Sequence, residues 1–298
     1  MADLALLGLT IAWGTTFLVV KRVLAGTSPA LFLCLRFALA ALALGALWLA
    51  RRRVDRPTPG LLRHGLLLGL AMAGGFLLQT EGLRLTTPAR SGFLTGLAVL
   101  IVPLLQRFLL GRRVARSAWL AVVLALLGLA TLTRPFADGV GAAVRLGDLL
   151  TVGCAAAFAF QILFTSSFSR RHPVTLLTLL QIAVTLAAAA LLLPFEPLAL
   201  APTPGFAAAV VFTGVVMTAG AFFVQNWAQR RTTAVRAAII FSLEPVAAAL
   251  FAHWVGGEPL GRAEWLGGGL IVAGVFVGEI GAALEQRARR PSGPWRKQ

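Results

Sequence analysis

The sequence predicts an all-α integral membrane protein with ten transmembrane helices arranged as two inverted five-helix repeats. Three observations carry this expectation: long apolar runs free of charge, an alternation of Arg and Lys between successive connections, and a self-similarity at a shift of 146 residues.

Of the 298 residues, 58% are hydrophobic and 13% charged, and the mean hydropathy is +0.84. A wettable surface cannot be built from that composition. Val174 to Phe195, Leu149 to Ser169 and Pro197 to Gln229 hold no Asp, Glu, Lys or Arg, and each can cross a hydrocarbon core of about 30 Å. Reading apolar runs against their punctuation gives spans Leu4 to Val20, Pro29 to Ala50, Leu61 to Thr80, Ala89 to Gly111 and Ala118 to Thr133. The second half adds Leu149 to Phe168, Val174 to Leu193, Gly205 to Ala228, Ala234 to Gly256 and Ala263 to Ala283. The first and fifth are short. The expected division is a first repeat at 1–133, a connecting loop at 134–147, a second repeat at 148–283 and a basic tail at 284–298. The amino terminus has no basic leader or small-residue cleavage site, so the first run is expected to be retained as a helix.

Lys and Arg near span ends stay on the cytoplasmic side. Alternate connections and the tail hold 18 of the 27 cations, including Arg51, Arg52, Arg53, Arg56, Arg63, Arg112, Arg113, Arg170, Arg171, Arg289 and Arg290. The opposite side holds seven: Lys21, Arg22, Arg84, Arg90, Arg134, Arg145 and Arg262. Both termini are therefore expected in the cytoplasm. The same scattering in short clusters excludes nucleic acid as a partner despite a net charge of +16, because no basic domain or aromatic platform is present. Cys34 and Cys154 sit alone in apolar runs and read as packing residues, with no metal-ligand spacing.

Shifting the chain by 146 residues lays Thr86-Thr87 on Thr232-Thr233, Arg90 on Arg236, Gly111 on Gly257, Trp119 on Trp265 and Gly128 on Gly274. Asp3-Leu4 falls on Asp148-Leu149 at nearly the same offset. Five spans per half is an odd number, so the second half enters the membrane from the opposite side. Inverted repeats are the architecture from which alternating access arises.

Ile11-Ala12-Trp13-Gly14-Thr15-Thr16-Phe17, Leu35-Arg36-Phe37, Thr86-Thr87-Pro88-Ala89 and Leu243-Glu244-Pro245-Val246 together resemble the EamA-like drug/metabolite transporter superfamily. The resemblance covers essentially the whole chain. It implies export of amino acids, drugs or other small metabolites across a bacterial-type inner membrane, with YddG-type amino-acid exporters as the architectural relative. One departure is Gly111-Arg112, where the second half has Gly257-Glu258.

Glu244 lies about ten residues into the ninth span, roughly 15 Å deep at 1.5 Å per residue. It must be protonated, paired or facing a hydrated cavity, and it serves either in coupling to protons or as a structural hydrogen-bonding acid. Pro245 and Pro103 remove amide donors and free the carbonyls of Phe241 and Val99. Such breaks in equivalent helices either mark a central binding site or shape packing. Arg36 stands roughly 10 Å into the hydrocarbon at a cost of about 3 kcal/mol, which the eight leucines of its span can offset. Its roles are a snorkelling side chain, a partner for Glu81, or an anchor for a substrate carboxylate. Trp13, Thr16, Phe158, Gln161 and Thr165 place polar handles beside aromatic walls, as a small zwitterion or aromatic solute requires, or else they pack the core. Trp254 and His253 read as interface anchors, and Gly267-Gly268-Gly269 as close helix packing.

No nucleotide-binding motif and no cofactor signature are present, so energy would come from the substrate gradient or from protons. A membrane-embedded enzyme would gather His, Cys or carboxylates at helix ends, whereas His64, His172 and His253 are scattered along the chain. A nucleotide-sugar or sugar-phosphate antiporter would want several deep cations, and Arg36 is one.

Overall fold

Lipid offers no partner to a backbone amide, so a chain this apolar folds by closing its hydrogen bonds within helices. A computed structural model describes residues 1–51, 55–133, 141–200, 205–256 and 260–288. Within them the backbone is helical apart from short connections and one isolated bridge between Thr27 and Leu200. Arg52, Arg53, Arg134, Arg289, Arg290, Arg296 and Lys297 of the charge count, and Gly257-Glu258, lie outside the described residues.

The first span is α1 (Ala2–Gly14) followed by α2 (Thr16–Leu24). Next come α3 (Pro29–Arg51) and α4 (Leu61–Leu85), then α5 (Pro88–Gly96) with α6 (Ala98–Leu109), and α7 (Arg116–Thr133). The second half comprises α8 (Ala142–Phe168), α9 (Val174–Leu192), α10 (Phe206–Val211), α11 (Ala221–Gln229), α12 (Ala234–Phe241), α13 (Glu244–Gly256) and α14 (Arg262–Ala288). Nine helical stretches among the described residues are long and apolar enough to cross a membrane. The apolar part of α7, Arg116–Leu132, is shorter. Helix α8 begins inside the stretch expected as a connection, and α14 continues into the expected tail.

Three interruptions matter for the site. The first span breaks at Thr15, a position that carries no proline and was expected to be continuous. The fourth span breaks at Leu97 and the ninth across Ser242 and Leu243, and Leu97 falls on Leu243 at the 146-residue shift. At both, the amide of the breaking leucine reaches back three residues, Leu97 to Leu94 at 3.2 Å and Leu243 to Ile240 at 3.1 Å, tightening the turn as a 3₁₀ step does. Pro103 is not itself the break, because α6 runs through it. Pro245 sits in the first turn of α13, where a missing amide donor leaves nothing unsatisfied.

Glycine lets the helices approach backbone to backbone. A Cβ on Gly128 would stand 2.6 Å from the Gly267 carbonyl, and one on Gly274 would stand 2.8 Å from the Ala121 carbonyl, so α7 and α14 pack through small residues. Gly267 is the close contact of its triplet, whereas Gly269 faces open space. Gly82 meets Gly147 and Thr151 across α4 and α8, and Gly14 meets the Glu244 carbonyl and Ala247 across α1 and α13. Among the described residues the two larger buried apolar clusters centre on Val102, Leu129 and Ile240 and on Phe32, Phe37 and Met72, with a small third at Leu68 and Leu177. Trp13 packs against both of the larger clusters.

Candidate functional site

Between the two larger clusters lies a cavity of about 90 Å³ lined in part by Trp13, Thr16, Arg36, Phe158, Gln161 and Glu244. Five of the six expected substrate-binding residues and the expected coupling acid thus share one space. Thr165 is buried outside it, with a hydroxyl that has no partner. Pro103 and Pro245 do not line it, although Pro245 starts the helix whose first residue is Glu244.

The cavity wall is organised by a π-helical segment, Phe212–Gly220, between α10 and α11. Its wider turn is visible in the Thr218 hydroxyl, which donates to the carbonyl of Thr213, five residues back, at 2.8 Å. Arg36 Nε donates to that same Thr218 oxygen at 2.7 Å, and the indole of Trp13 donates to the Met217 carbonyl at 3.1 Å. Gly214 makes the approach possible, since a Cβ there would be 2.7 Å from the Arg36 carbonyl. Short π segments often accompany functional sites. This one fixes two of the residues picked out in the sequence, Trp13 and Arg36.

Arg36 is 4% exposed and does not snorkel. Its guanidinium lies 4.7 Å from the centre of the Phe76 ring, a cation–π distance. Glu81 is not its partner, being engaged by Arg84 at 3.0 Å. Neither Nη nitrogen has an acceptor among the described residues, and Glu244 has no hydrogen bond or ion pair among them. A guanidinium and a carboxyl group thus border one cavity without contacting each other.

Aromatic rings complete the wall. Trp13 contacts Phe222 and Phe241 at 5.3 and 5.6 Å between centroids, and Phe76 meets Phe158 edge-on at 5.3 Å. Thr16 donates to the Trp13 carbonyl at 2.7 Å. Gln161 joins a buried amide network: it donates to Gln181 at 3.0 Å and accepts from Gln225 at 3.1 Å, and Gln225 also donates to Gln229 at 2.9 Å. The network is not fully satisfied, since Gln225 Oε1 is buried without a partner. The reading from sequence missed Phe76, Gln79, Thr95, Phe222, Gln225, Phe241 and Ser242 on the wall. Gln79 and Gln225 carried the same signal as Gln161, an amide inside an apolar run.

At the helix ends, two histidines read as scattered come together. His64 Nδ1 and His172 Nε2 are 2.7 Å apart, and the Thr58 hydroxyl lies 2.5 Å from His172 Nδ1. Burial, then His64, then Arg171 hold the His172 imidazole below its usual range. Among the described residues no three of His, Cys, Asp or Glu gather where a metal ion could sit.

The model of the EamA-like transporter family matches this chain twice, at residues 1–134 and 145–278. A protein of Archaeoglobus fulgidus described as an uncharacterized transporter is 30% identical over 286 residues, covering 93% of this chain and 85% of its own. A second with the same description from that organism is 27% identical over 267 residues, covering 89% and 91%. A crystal structure 24% identical to this chain superposes on it with a TM-score of 0.79, covering 98% of this chain and 99% of the other, which establishes a shared fold. With apolar helices along its length and the family pattern over both halves, the chain is a multi-pass membrane protein belonging to the EamA-like transporter family.

Proposed function

We propose that the protein is an alternating-access exporter of small zwitterions, amino acids foremost, built from two inverted five-helix repeats at 1–133 and 148–283 in a bacterial-type inner membrane with both termini in the cytoplasm. The observation that carries this reading is a guanidinium and a carboxyl group on one cavity with no contact between them: Arg36 has Nη donors free for a carboxylate, and Glu244 has oxygens free to accept from an ammonium group. Trp13, Phe76, Phe158 and Phe222 supply an apolar wall for the side chain. Two matches to the family model and equivalent breaks at Leu97 and Leu243 support the duplication. A sugar-phosphate or nucleotide-sugar antiporter is disfavoured because Arg36 is the one cation on the described wall.

Counterflow into proteoliposomes tests the proposal, with labelled aromatic and aliphatic amino acids, the matching amines, a hexose phosphate and a nucleotide sugar in one panel. Exchange of amino acids but not of the phosphorylated solutes supports it. Exchange confined to phosphorylated solutes overturns it.

A further inference from the structure

Two related ion-pair clusters stand at opposite ends of the helical bundle. Asp3 begins and Lys21 nears the end of one span, and Lys21 Nζ donates to the Thr86 carbonyl at 3.0 Å, so Thr86 lies at the end remote from Asp3. There, Arg90 grips both carboxylate oxygens of Asp148, and the Thr86 hydroxyl donates to Asp148 Oδ1 at 3.0 Å. The counterparts at the other end are Thr232, Arg236 and Asp3. Even the helix starts agree, since the Thr87 hydroxyl accepts from the Arg90 amide and the Thr233 hydroxyl from the Arg236 amide. Each cluster ties one half of the chain to the other.

The second cluster is incomplete. Arg236 Nη2 reaches Asp3 Oδ2 at 3.0 Å, but Asp3 Oδ1 and the Thr232 hydroxyl are both buried without a partner. The arginine fork is held by Glu279 instead, with Nε donating to Oε1 at 2.6 Å and Nη2 to Oε2. The first half has Thr133, not an acid, at the position equivalent to Glu279. Burying two unpartnered polar atoms is unfavourable. Both would be satisfied if Arg236 turned from Glu279 to Asp3 and Thr232 donated to Asp3, reproducing the arrangement at Asp148.

The geometry points to a gate at each end, Thr86–Arg90–Asp148 and Thr232–Arg236–Asp3, with Glu279 as the alternative partner that holds Arg236 while its gate is released. Opening toward the Asp3 end then accompanies latching at the Thr86 end, and the exchange is between two discrete packings. This rests on the alternating-access reading above.

The test places a reporter on the cavity wall, Val20→Cys, in a chain with Cys34→Ala and Cys154→Ala. A membrane-impermeant maleimide then labels sealed vesicles of each orientation. Asp148→Asn, Thr86→Ala and Glu279→Gln are expected to raise labelling from the Thr86 side, and Asp3→Asn and Thr232→Ala from the Asp3 side. The charge variants should move the ratio about tenfold, which is about 1.4 kcal/mol. Thr232→Ala discriminates best, because a hydroxyl with no partner in this packing leaves the ratio unmoved if its role is only structural. An unmoved ratio for Thr232→Ala, or Glu279→Gln shifting as Asp3→Asn does, overturns the gating assignment. Labelling of the parent from one side alone, with and without substrate, would instead overturn alternating access itself.

Discussion

At the scale of single residues, the site combines one cation and one acid whose environments differ. Arg36 is held by Thr218 and the Phe76 face, whereas Glu244 has no donor among the described residues. On the proposed alternating-access reading, a carboxyl in that position takes up a proton on one side and releases it on the other. Glu244→Gln resembles the protonated acid but cannot cycle. It is expected to retain exchange at symmetric pH and to lose acceleration by a pH gradient, measured by counterflow with and without an imposed gradient. The His172 pair gives a separate prediction. An imidazole held below its usual range is neutral when folded, and the unfolded chain binds its proton first as pH falls. That stability is complete above the unfolded value of about 6.5 and is lost as pH drops below it. The thermal midpoint of the purified protein should therefore fall between about pH 7 and pH 5.5, and His172→Asn should flatten that dependence.

Polar and charged residues were legible for a simple reason. An amide, guanidinium or carboxylate inside an apolar run must have a partner or a cavity, which is why Arg36, Gln161 and Glu244 stood out. Phe76, Phe222 and Phe241 did not, because an aromatic ring facing a cavity and one packed in a core read alike along a helix. Thr165, on the same helix as Gln161, is buried outside the cavity, because a helix turns only some of its polar residues toward one space.

At the scale of elements, glycine positions decide which helices can touch. Gly128→Ala would push a methyl group to 2.6 Å from a backbone carbonyl of α14, and overpacking of that kind costs about 1–3 kcal/mol. Gly269→Ala meets nothing within 4 Å and should be neutral or stabilising by about 0.5–1 kcal/mol, as an alanine in a helix interior is. Thermal midpoints of the two variants in detergent should differ in that order. The breaks were only partly readable. Prolines directed attention to the fourth and ninth spans, yet the interruptions lie at Leu97 and at Ser242 and Leu243, and the first span breaks at Thr15 with no proline near. The π-helical segment carried no signal either. Its wide turn is stabilised by Trp13 and Arg36 from other helices, a tertiary cause that periodicity along one helix does not contain.

At the scale of the whole molecule, the repeat in the sequence has counterparts in space. Thr87 and Thr233 cap equivalent helices, and Arg90 and Arg236 each reach across to an acid near the start of the other half's first helix. An inverted repeat requires the two Thr-Thr turns to face opposite sides of the membrane, so cysteines at Thr87 and Thr233 should be labelled from opposite sides of oriented vesicles. Recognition of a zwitterion through Arg36 in the cavity between the halves is the proposal's central point. Its most direct measurement is competition in counterflow between phenylalanine and phenethylamine, which lacks the carboxylate, for the parent and for Arg36→Gln. The parent should prefer the amino acid, and Arg36→Gln, inserted normally, should lose that preference by about tenfold or more, the worth of one charge-assisted hydrogen bond to a carboxylate. An unchanged preference in a normally inserted Arg36→Gln would contradict the proposal.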